Sequence, residues 1–161
     1  MLEQTILELR QLKLSGMANA LAGQMEQPGT YEGLSFDERL QLLTDSEAQE
    51  RTHRKQQRLL KAAKLKMAAN ACDIDYQQPR GLKQSVVASL LQGDWLNKSQ
   101  NLLMTGPCGS GKTYIACALG HAACMKGYSV KYYRLSRLML ELTQAKADGS
   151  YSKSLASLAK L

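Results

Sequence analysis

The sequence predicts a small all-helical domain followed by an α/β unit with a parallel sheet. Apolar residues recur at helical spacing in the first part, and no glycine or proline interrupts residues 35–71. In the second part the pattern changes to strand, glycine-rich loop, helix, strand and helix, an order typical of α/β folds. We therefore expect a helical domain over residues 1–71, a linker with a helix over 72–98, and an α/β core over 99–161.

The helices of the first domain are predicted from periodicity and capping. Residues 2–14 and 17–25 carry apolar side chains at the spacing of amphipathic helices. Ser35 and Glu38 form a capping box, in which each side chain accepts a hydrogen bond from the other residue's backbone N–H. One long helix, or two abutting ones, is expected from Ser35 to Ala71.

The second part combines chain breakers, strands and helices. Pro79 and Gly81 mark a connector, and a helix is expected over residues 86–91. The apolar run 101–104 fits a buried strand, and residues 129–133 are rich in β-forming side chains. Further helices are expected over 113–126, 138–147 and 151–160.

Composition and charge restrict the class of protein. The chain has 161 residues, 44% of them hydrophobic and 22% charged, and no apolar run is long enough to cross a membrane. The amino terminus lacks the pattern of a secretory signal, so we expect a cytoplasmic protein without a membrane partner. The net charge is +7, although residues 1–50 hold nine acidic and only three basic residues. An acidic start and a basic remainder indicate a polyanionic partner after residue 50.

Three soft metal ligands fall on one face of a predicted helix. Cys117, His121 and Cys124 stand at positions i, i+4 and i+7, and they could hold a metal if a fourth ligand came from elsewhere. Free cysteines are, however, small side chains that are commonly buried. We therefore favour packing of these cysteines between helix and sheet over a metal site.

An uninterrupted phosphate-binding motif lies between the first predicted strand and the helix that follows it. The motif G-x-x-x-x-G-K-[ST] is matched by Gly106, Pro107, Cys108, Gly109, Ser110, Gly111, Lys112 and Thr113. Its glycines let successive N–H groups point at phosphate oxygens, and the helix that begins near Lys112 adds its positive end. Lys112 can reach the β- and γ-phosphates, and the Thr113 hydroxyl can ligate Mg²⁺. The sequence therefore predicts binding of ATP and Mg²⁺.

Hydrolysis requires more than a phosphate cradle. An acidic residue at the end of a later strand must hold Mg²⁺, and another group must orient water. After Lys112 the acidic residues are Glu141 and Asp148, both in helical or loop context. We therefore expect this chain to bind ATP without hydrolysing it.

Basic residues of the long helix are predicted to bind DNA. They recur at steps of three and one residues and form a broad stripe on one helix face. The members of the stripe are Arg51, Arg54, Lys55, Arg58 and Lys61, and Lys64 can be added to the series. Such a stripe suits DNA phosphates, whose contacts carry little sequence specificity. An ordinary solvated helix face has the same pattern. No aromatic residues are interleaved, so base stacking is not indicated here.

The chain resembles the IstB/DnaC group of AAA+ ATPases. The resemblance is carried by residues 90–133, which include Gly93-Asp94-Trp95 and the phosphate-binding motif, and by Leu12–Met17 and Leu34–Leu40. It is closer to IstB, the ATP-binding helper of insertion-sequence transposition, than to helicase loaders. The resemblance implies an α/β P-loop NTPase fold of the AAA+ type, DNA binding and a transposase partner.

The chain departs from the family pattern near its end. In the family, a strand with paired acids, the Walker B motif, follows almost where Lys160 and Leu161 stand, and we expect a truncated or incomplete AAA+ core. The family's first two strands are not neighbours, because later strands lie between them. Residues 101–104 and 129–133 are therefore not expected to form the normal sheet by themselves.

Three functions remain open from the sequence. The leading hypothesis is an ATP-binding, DNA-binding transposition helper that self-associates, with ATP acting as an assembly switch between neighbouring subunits. The first alternative is a helicase loader that binds a replicative helicase. The second alternative is a non-catalytic fragment that binds partners through its amino-terminal helices.

Overall fold

Helices account for all the regular structure that the computed structural model describes, which is residues 2–77 and 81–161. The chain forms two compact units, the first ending at Lys55 and the second beginning at Gln56. The α-helices are α1 (Leu2–Gln11), α2 (Ser15–Glu26), α3 (Pro28–Tyr31), α4 (Phe36–Ala63), α5 (Gln84–Gln92), α6 (Asp94–Asn97), α7 (Lys112–Met125), α8 (Leu135–Ala147) and α9 (Tyr151–Leu158), with a short 3-10 helix at Ala71–Asp73. The domain boundaries expected after residues 71 and 98 stay a prediction.

The predicted α/β P-loop NTPase fold of the AAA+ type is wrong for this structure. No β-strand is present in residues 2–77 and 81–161. The run 101–104 has no regular secondary structure and is not a buried strand, since Leu103 is 89% exposed. The expectation that the two segments do not form the family's sheet by themselves is confirmed.

The second segment predicted as a strand pairs with a helix end instead. Tyr132 N–H donates to the carbonyl of Ala63 at 2.9 Å, at the last residue of α4. The Lys131 ammonium donates to the carbonyl of Ala62 at 3.3 Å. A strand requires a neighbouring strand to accept its amides, and here the unfilled carbonyls at the end of a helix take that place.

The predicted helices are confirmed by the structure, with shifted ends. The capping box is formed: Ser35 N–H donates to Glu38 Oε2 at 2.7 Å, and Glu38 N–H donates to Ser35 Oγ at 3.3 Å. The long helix α4 starts after this box and ends at Ala63, because Lys64 adopts a left-handed conformation with φ of 49°. Pro79, predicted as a breaker, lies outside the described residues. No helix among the described residues has both the length and the apolar character to cross a membrane.

In the first unit, a carboxylate from α4 caps the amino terminus of α2. Glu47 Oε2 accepts hydrogen bonds from Gly16 N–H at 2.8 Å and from Met17 N–H at 3.3 Å. Arg51 Nε donates to the other oxygen of the same carboxylate at 2.8 Å. Glu47 is buried, so its charge is stabilised by the helix end and by the guanidinium together. The hydrogen bond from Arg51 and those from the two amides hold the pKa of Glu47 below its ordinary value.

This capping arrangement requires a glycine at the start of α2. A Cβ atom on Gly16 would lie 2.6 Å from the Glu47 Cα and 2.7 Å from the Ser46 carbonyl oxygen. Ser46 Oγ also donates to the Gly16 carbonyl at 3.1 Å, so the two backbones are held in contact from both sides. Glycine is needed here because the neighbouring atoms are backbone, which cannot move aside independently.

The core of the second unit is formed by small residues of α7 together with residues that come before and after the connector at Pro79 and Gly81. Its buried residues are Ala69, Ile74, Val87, Cys117 and Ala118. Partly buried side chains, among them Leu65 and Tyr132, pack around this cluster. The side chain of Leu65 lies within 3.1 Å of where a Cβ on Gly120 would stand, so α7 approaches the residues after α4 closely.

We predict that Gly16→Ala destabilises the chain by about 1–3 kcal/mol, the usual effect of overpacking. The matched control is Gly23→Ala in the same helix, where a Cβ would meet nothing within 4 Å. There the lower flexibility of alanine should stabilise by roughly 0.5–1 kcal/mol. Urea unfolding followed by circular dichroism measures both changes. Equal stability of the two variants would contradict the close approach.

We also predict that the contribution of Glu47 to stability depends on pH. Folding lowers the pKa of Glu47 below 4.5, so its contribution is complete above that pH and is lost as the pH falls through the folded value. Wild type should therefore be more stable than Glu47→Gln near neutral pH, and the difference should shrink in acid. Urea unfolding at several pH values measures the difference. A difference that stays the same from neutral to acid pH would contradict this role of the Glu47 charge.

Candidate functional site

The motif residues form a turn that leads directly into α7. The chain has no regular secondary structure from residue 101 to Pro107, turns at residues 108–110, and becomes helical at Lys112. Gly109 and Gly111 have φ of 81° and 88°, in the left-handed region that residues with a Cβ rarely adopt. Gly109 and Gly111 are therefore required by the shape of the turn.

Several backbone donors at this turn lack an acceptor. Within the described part of the chain, the N–H groups of Gly109, Gly111, Lys112 and Thr113 make no backbone hydrogen bond. Gly111, Lys112 and Thr113 stand at the amino-terminal end of α7, a helix of 14 residues whose dipole adds positive potential there, and Gly109 lies in the turn just before it. Free amides together with a helix dipole favour an anion at this position.

The side chain of Lys112 spans the turn. Its ammonium donates to the carbonyls of Gly106 at 2.8 Å and Pro107 at 2.6 Å, and lies 3.5 Å from Ser110 Oγ. A positive charge is thus held within the loop, beside the free amides. Thr113 follows in the first turn of α7 and is half-buried. All eight residues of the motif therefore lie on one continuous turn and helix start.

The acidic residues that follow the motif have other partners. Glu141 Oε1 accepts from Arg137 Nε at 3.2 Å. Asp148 Oδ1 accepts from both the hydroxyl and the N–H of Ser150, and these bonds lower the pKa of Asp148. Both carboxylates are thus engaged within or just after α8.

The cysteines of α7 are packed in the protein interior. Cys117 and Cys124 are fully buried, as the packing hypothesis predicted, and burial raises the pKa of the Cys124 thiol. A raised pKa favours the neutral thiol, whereas a metal ligand must be a thiolate. No group of three or more potential metal ligands occurs in the part of the chain that the structure describes.

The basic residues of α4 differ in their ion pairing. Arg51 pairs with Glu47 at 2.8 Å, and Arg54 pairs with Glu50 at 3.3 Å. Arg54 also donates to Ser15 Oγ at 3.1 Å. The three other members of the stripe are Lys55, Arg58 and Lys61. They form no ion pair with any of the described residues. All five side chains are exposed.

A second basic surface, which the sequence analysis did not single out, lies in the second unit. We call it the basic cleft; it has a volume of about 510 Å³ and is lined by Lys64, Lys66, Lys131, Tyr132, Tyr133, Arg134, Arg137 and Glu141. The signal that could have found it is the run from Lys131 to Arg137, where basic residues at spacing three flank two tyrosines. Lys66 joins that run only because the chain after α4 folds beside it.

The loop and the start of α7 have the features of an anion-binding site. A P-loop sequence at the start of a helix, with free amides and a lysine held inside the turn, is the arrangement with which proteins bind nucleotide phosphates. A comparison with known families identifies the particular one. Residues 7–161 match the family described as IstB-like ATP binding protein, and the chain belongs to that family.

Individual relatives agree with this assignment. A protein of insertion sequence IS1162 from Pseudomonas fluorescens, named for ATP binding, is 48% identical over the whole chain. Two insertion-sequence proteins of Sinorhizobium fredii, y4pL and y4uH, also named for ATP binding, are 40% and 39% identical over 92% and 93% of the chain. The chain spans 70% of the IS1162 protein and 60% of each Sinorhizobium protein.

Proposed function

We propose that this chain is a cytoplasmic helper of DNA transposition that binds Mg²⁺-ATP at residues 106–113 and binds DNA along α4. The observation that carries the proposal is the P-loop sequence on a turn with free amides, in a member of a family named for ATP binding. The relatives named above all belong to insertion sequences, which favours transposition over the loading of a replicative helicase.

Each motif residue has a physical role in this proposal. The amides of Gly109, Gly111, Lys112 and Thr113 donate to the phosphate oxygens, since they have no competing backbone acceptor in the described chain. The Lys112 ammonium, which donates to the Gly106 and Pro107 carbonyls in this structure, turns to the β- and γ-phosphates when ATP is bound. The Thr113 hydroxyl ligates Mg²⁺, a hard cation that prefers oxygen. Gly106, Pro107, Cys108 and Ser110 shape the turn on which these groups stand.

ATP is bound rather than hydrolysed by the residues present. Hydrolysis requires a carboxylate that holds Mg²⁺ and a group that orients water. Glu141 is paired with Arg137, and Asp148 accepts two hydrogen bonds from Ser150. Neither carboxylate is free for this task. In this proposal ATP acts as an assembly switch, because neighbouring copies complete the site around the bound phosphates.

Duplex DNA is bound mainly by Lys55, Arg58 and Lys61. These side chains are exposed and carry uncompensated positive charge. Arg51 and Arg54 also belong to the stripe, but each must exchange a carboxylate partner for a phosphate. Their net contribution is therefore smaller. The contacts are to the phosphodiester backbone and carry little sequence preference.

The protein partners in this proposal are a transposase and further copies of the chain. Large apolar side chains on the surface of α8 suit such contacts, because exposed apolar patches commonly mark protein interfaces. Leu135, Met139 and Leu140 are 68%, 53% and 58% exposed.

The test of nucleotide binding is calorimetric titration with Mg²⁺-ATP. Wild type should release or absorb heat on binding, and Lys112→Ala should weaken affinity roughly 10- to 150-fold, the usual contribution of a hydrogen bond to a charged group. Lys83→Ala, at an exposed residue outside the loop, is the matched control. Thr113→Val should bind ATP with little dependence on Mg²⁺. Heat that persists unchanged in Lys112→Ala would overturn the assignment.

The test of duplex binding is the salt dependence of affinity. Arg58→Gln combined with Lys61→Gln should lower the affinity for duplex DNA and make the slope of log K against log salt shallower by about 1.8, since each lost phosphate contact removes about 0.9. Fluorescence anisotropy with a labelled duplex measures both quantities. Lys83→Gln combined with Lys98→Gln removes the same charge elsewhere. If both double variants lose affinity equally, binding depends on net charge and not on α4.

A further inference from the structure

The basic cleft is separate from the groups assigned above to ATP and duplex DNA. It contains five cations, two tyrosines and one carboxylate, and it includes none of the residues 106–113. Its volume of about 510 Å³ lies in the range of roughly 300–1,000 Å³ that is usual for ligand pockets. The cleft is therefore large enough to hold one or two units of a polymer chain, but it is too small to hold the broad surface of a folded partner.

One wall of the cleft is fixed by hydrogen bonds to the last backbone carbonyls of α4. Lys131 and Tyr132 are held against the end of α4 by hydrogen bonds to the carbonyls of Ala62 and Ala63. Lys64, the first residue after α4, has a left-handed backbone with φ of 49°, which is unfavourable for a residue with a side chain. That conformation turns the chain so that both Lys64 and Lys66 line the cleft.

The positive charge of the cleft is largely uncompensated. Glu141 is paired with Arg137 at 3.2 Å. Across residues 2–77 and 81–161, no carboxylate lies within ion-pair distance of Lys64, Lys66, Lys131 or Arg134. Several like charges held around one concavity repel each other, and an anion that enters relieves that repulsion. The ligand of the cleft is therefore anionic.

The two tyrosines narrow the choice of anion. Tyr132 and Tyr133 are half-buried, and both line the cleft among the cations. Cations that follow a phosphate backbone, combined with aromatic rings on which bases stack, are typical of single-stranded nucleic-acid sites. The bases of a duplex are already stacked on each other and cannot reach such rings.

We propose that the basic cleft binds single-stranded DNA, with phosphates at Lys66, Lys131 and Arg134 and a base against Tyr133. The choice of DNA over RNA rests on the proposed function in DNA transposition, because both polymers share the phosphate and base chemistry that the cleft recognises. Duplex DNA remains assigned to α4. The chain thus carries two nucleic-acid surfaces with different preferences.

The test compares two double variants that remove the same charge. Lys66→Gln with Arg134→Gln removes two cations of the cleft, and Lys83→Gln with Lys98→Gln removes two exposed lysines outside it. Anisotropy of a labelled oligo-deoxythymidylate of about 16 nucleotides, an upper site size for single-strand binders, gives the affinity. The cleft variant should bind at least tenfold more weakly, with a salt slope shallower by about 1.4, since each contact to a single strand contributes about 0.7. The control should stay within twofold of wild type.

The role of the ring is tested at Tyr133. Tyr133→Leu should weaken binding of the single strand roughly fivefold to 150-fold, while Tyr133→Phe, which keeps the ring, should bind as wild type does. Circular dichroism checks that each variant is folded. A measurement on the unmodified chain makes the test independent of folding: photocrosslinking with a bromodeoxyuridine oligonucleotide should map to the peptide that contains Tyr132 and Tyr133.

The outcomes separate this proposal from the preceding one. It is overturned if the cleft variant keeps its affinity for the single strand, if affinities for single strand and duplex fall equally, or if the crosslink maps elsewhere. Tenfold tighter binding of a matched oligo-uridylate would overturn the choice of DNA. Loss of duplex binding in the α4 variant, with single-strand binding kept, supports both proposals. Single-strand binding through the cleft without any duplex binding contradicts only the function proposed for α4.

Discussion

The hydrogen bond from Tyr132 N–H to the Ala63 carbonyl determines how the second unit is arranged. The last carbonyls of a helix need donors, and the amides of an extended segment need acceptors, so one contact satisfies both requirements. The Lys131 ammonium strengthens the contact through the Ala62 carbonyl. This contact keeps Tyr132 against the core cluster and places the basic residues of two distant chain segments around one cleft.

Local signals in the sequence were sufficient for the longer helices, although they did not indicate the four-residue helices α3 and α6 or the end of α4 at Ala63. The capping box at Ser35 and Glu38 was predicted because its two hydrogen bonds join residues three positions apart. The strands were not predictable in the same way, because a strand exists only when another segment pairs with it. Residues 129–133 have β-forming side chains, yet their backbone partner is a helix end. Tertiary contacts thus overrode local propensity, as is usual for strands.

The candidate sites also differ in whether local sequence or tertiary contacts determine them. The phosphate-binding motif is contiguous, so its residues, its turn and its helix start could all be located from the sequence. The pairing of Arg51 with Glu47 belongs instead to a three-dimensional arrangement, in which the same carboxylate also caps α2 some thirty residues away. The basic cleft depends on the approach of Lys66 to Arg134, which spacing along the chain does not indicate.

The exposed run at residues 101–104 has a consequence for handling the protein in solution. Leu103 is 89% exposed, and the backbone around it forms no strand pairing in the described chain. An unprotected apolar stretch of this kind is a template on which a like stretch from another molecule can add. Concentrated preparations should therefore precipitate through this run, and a charged residue in place of Leu103 should prevent the precipitation.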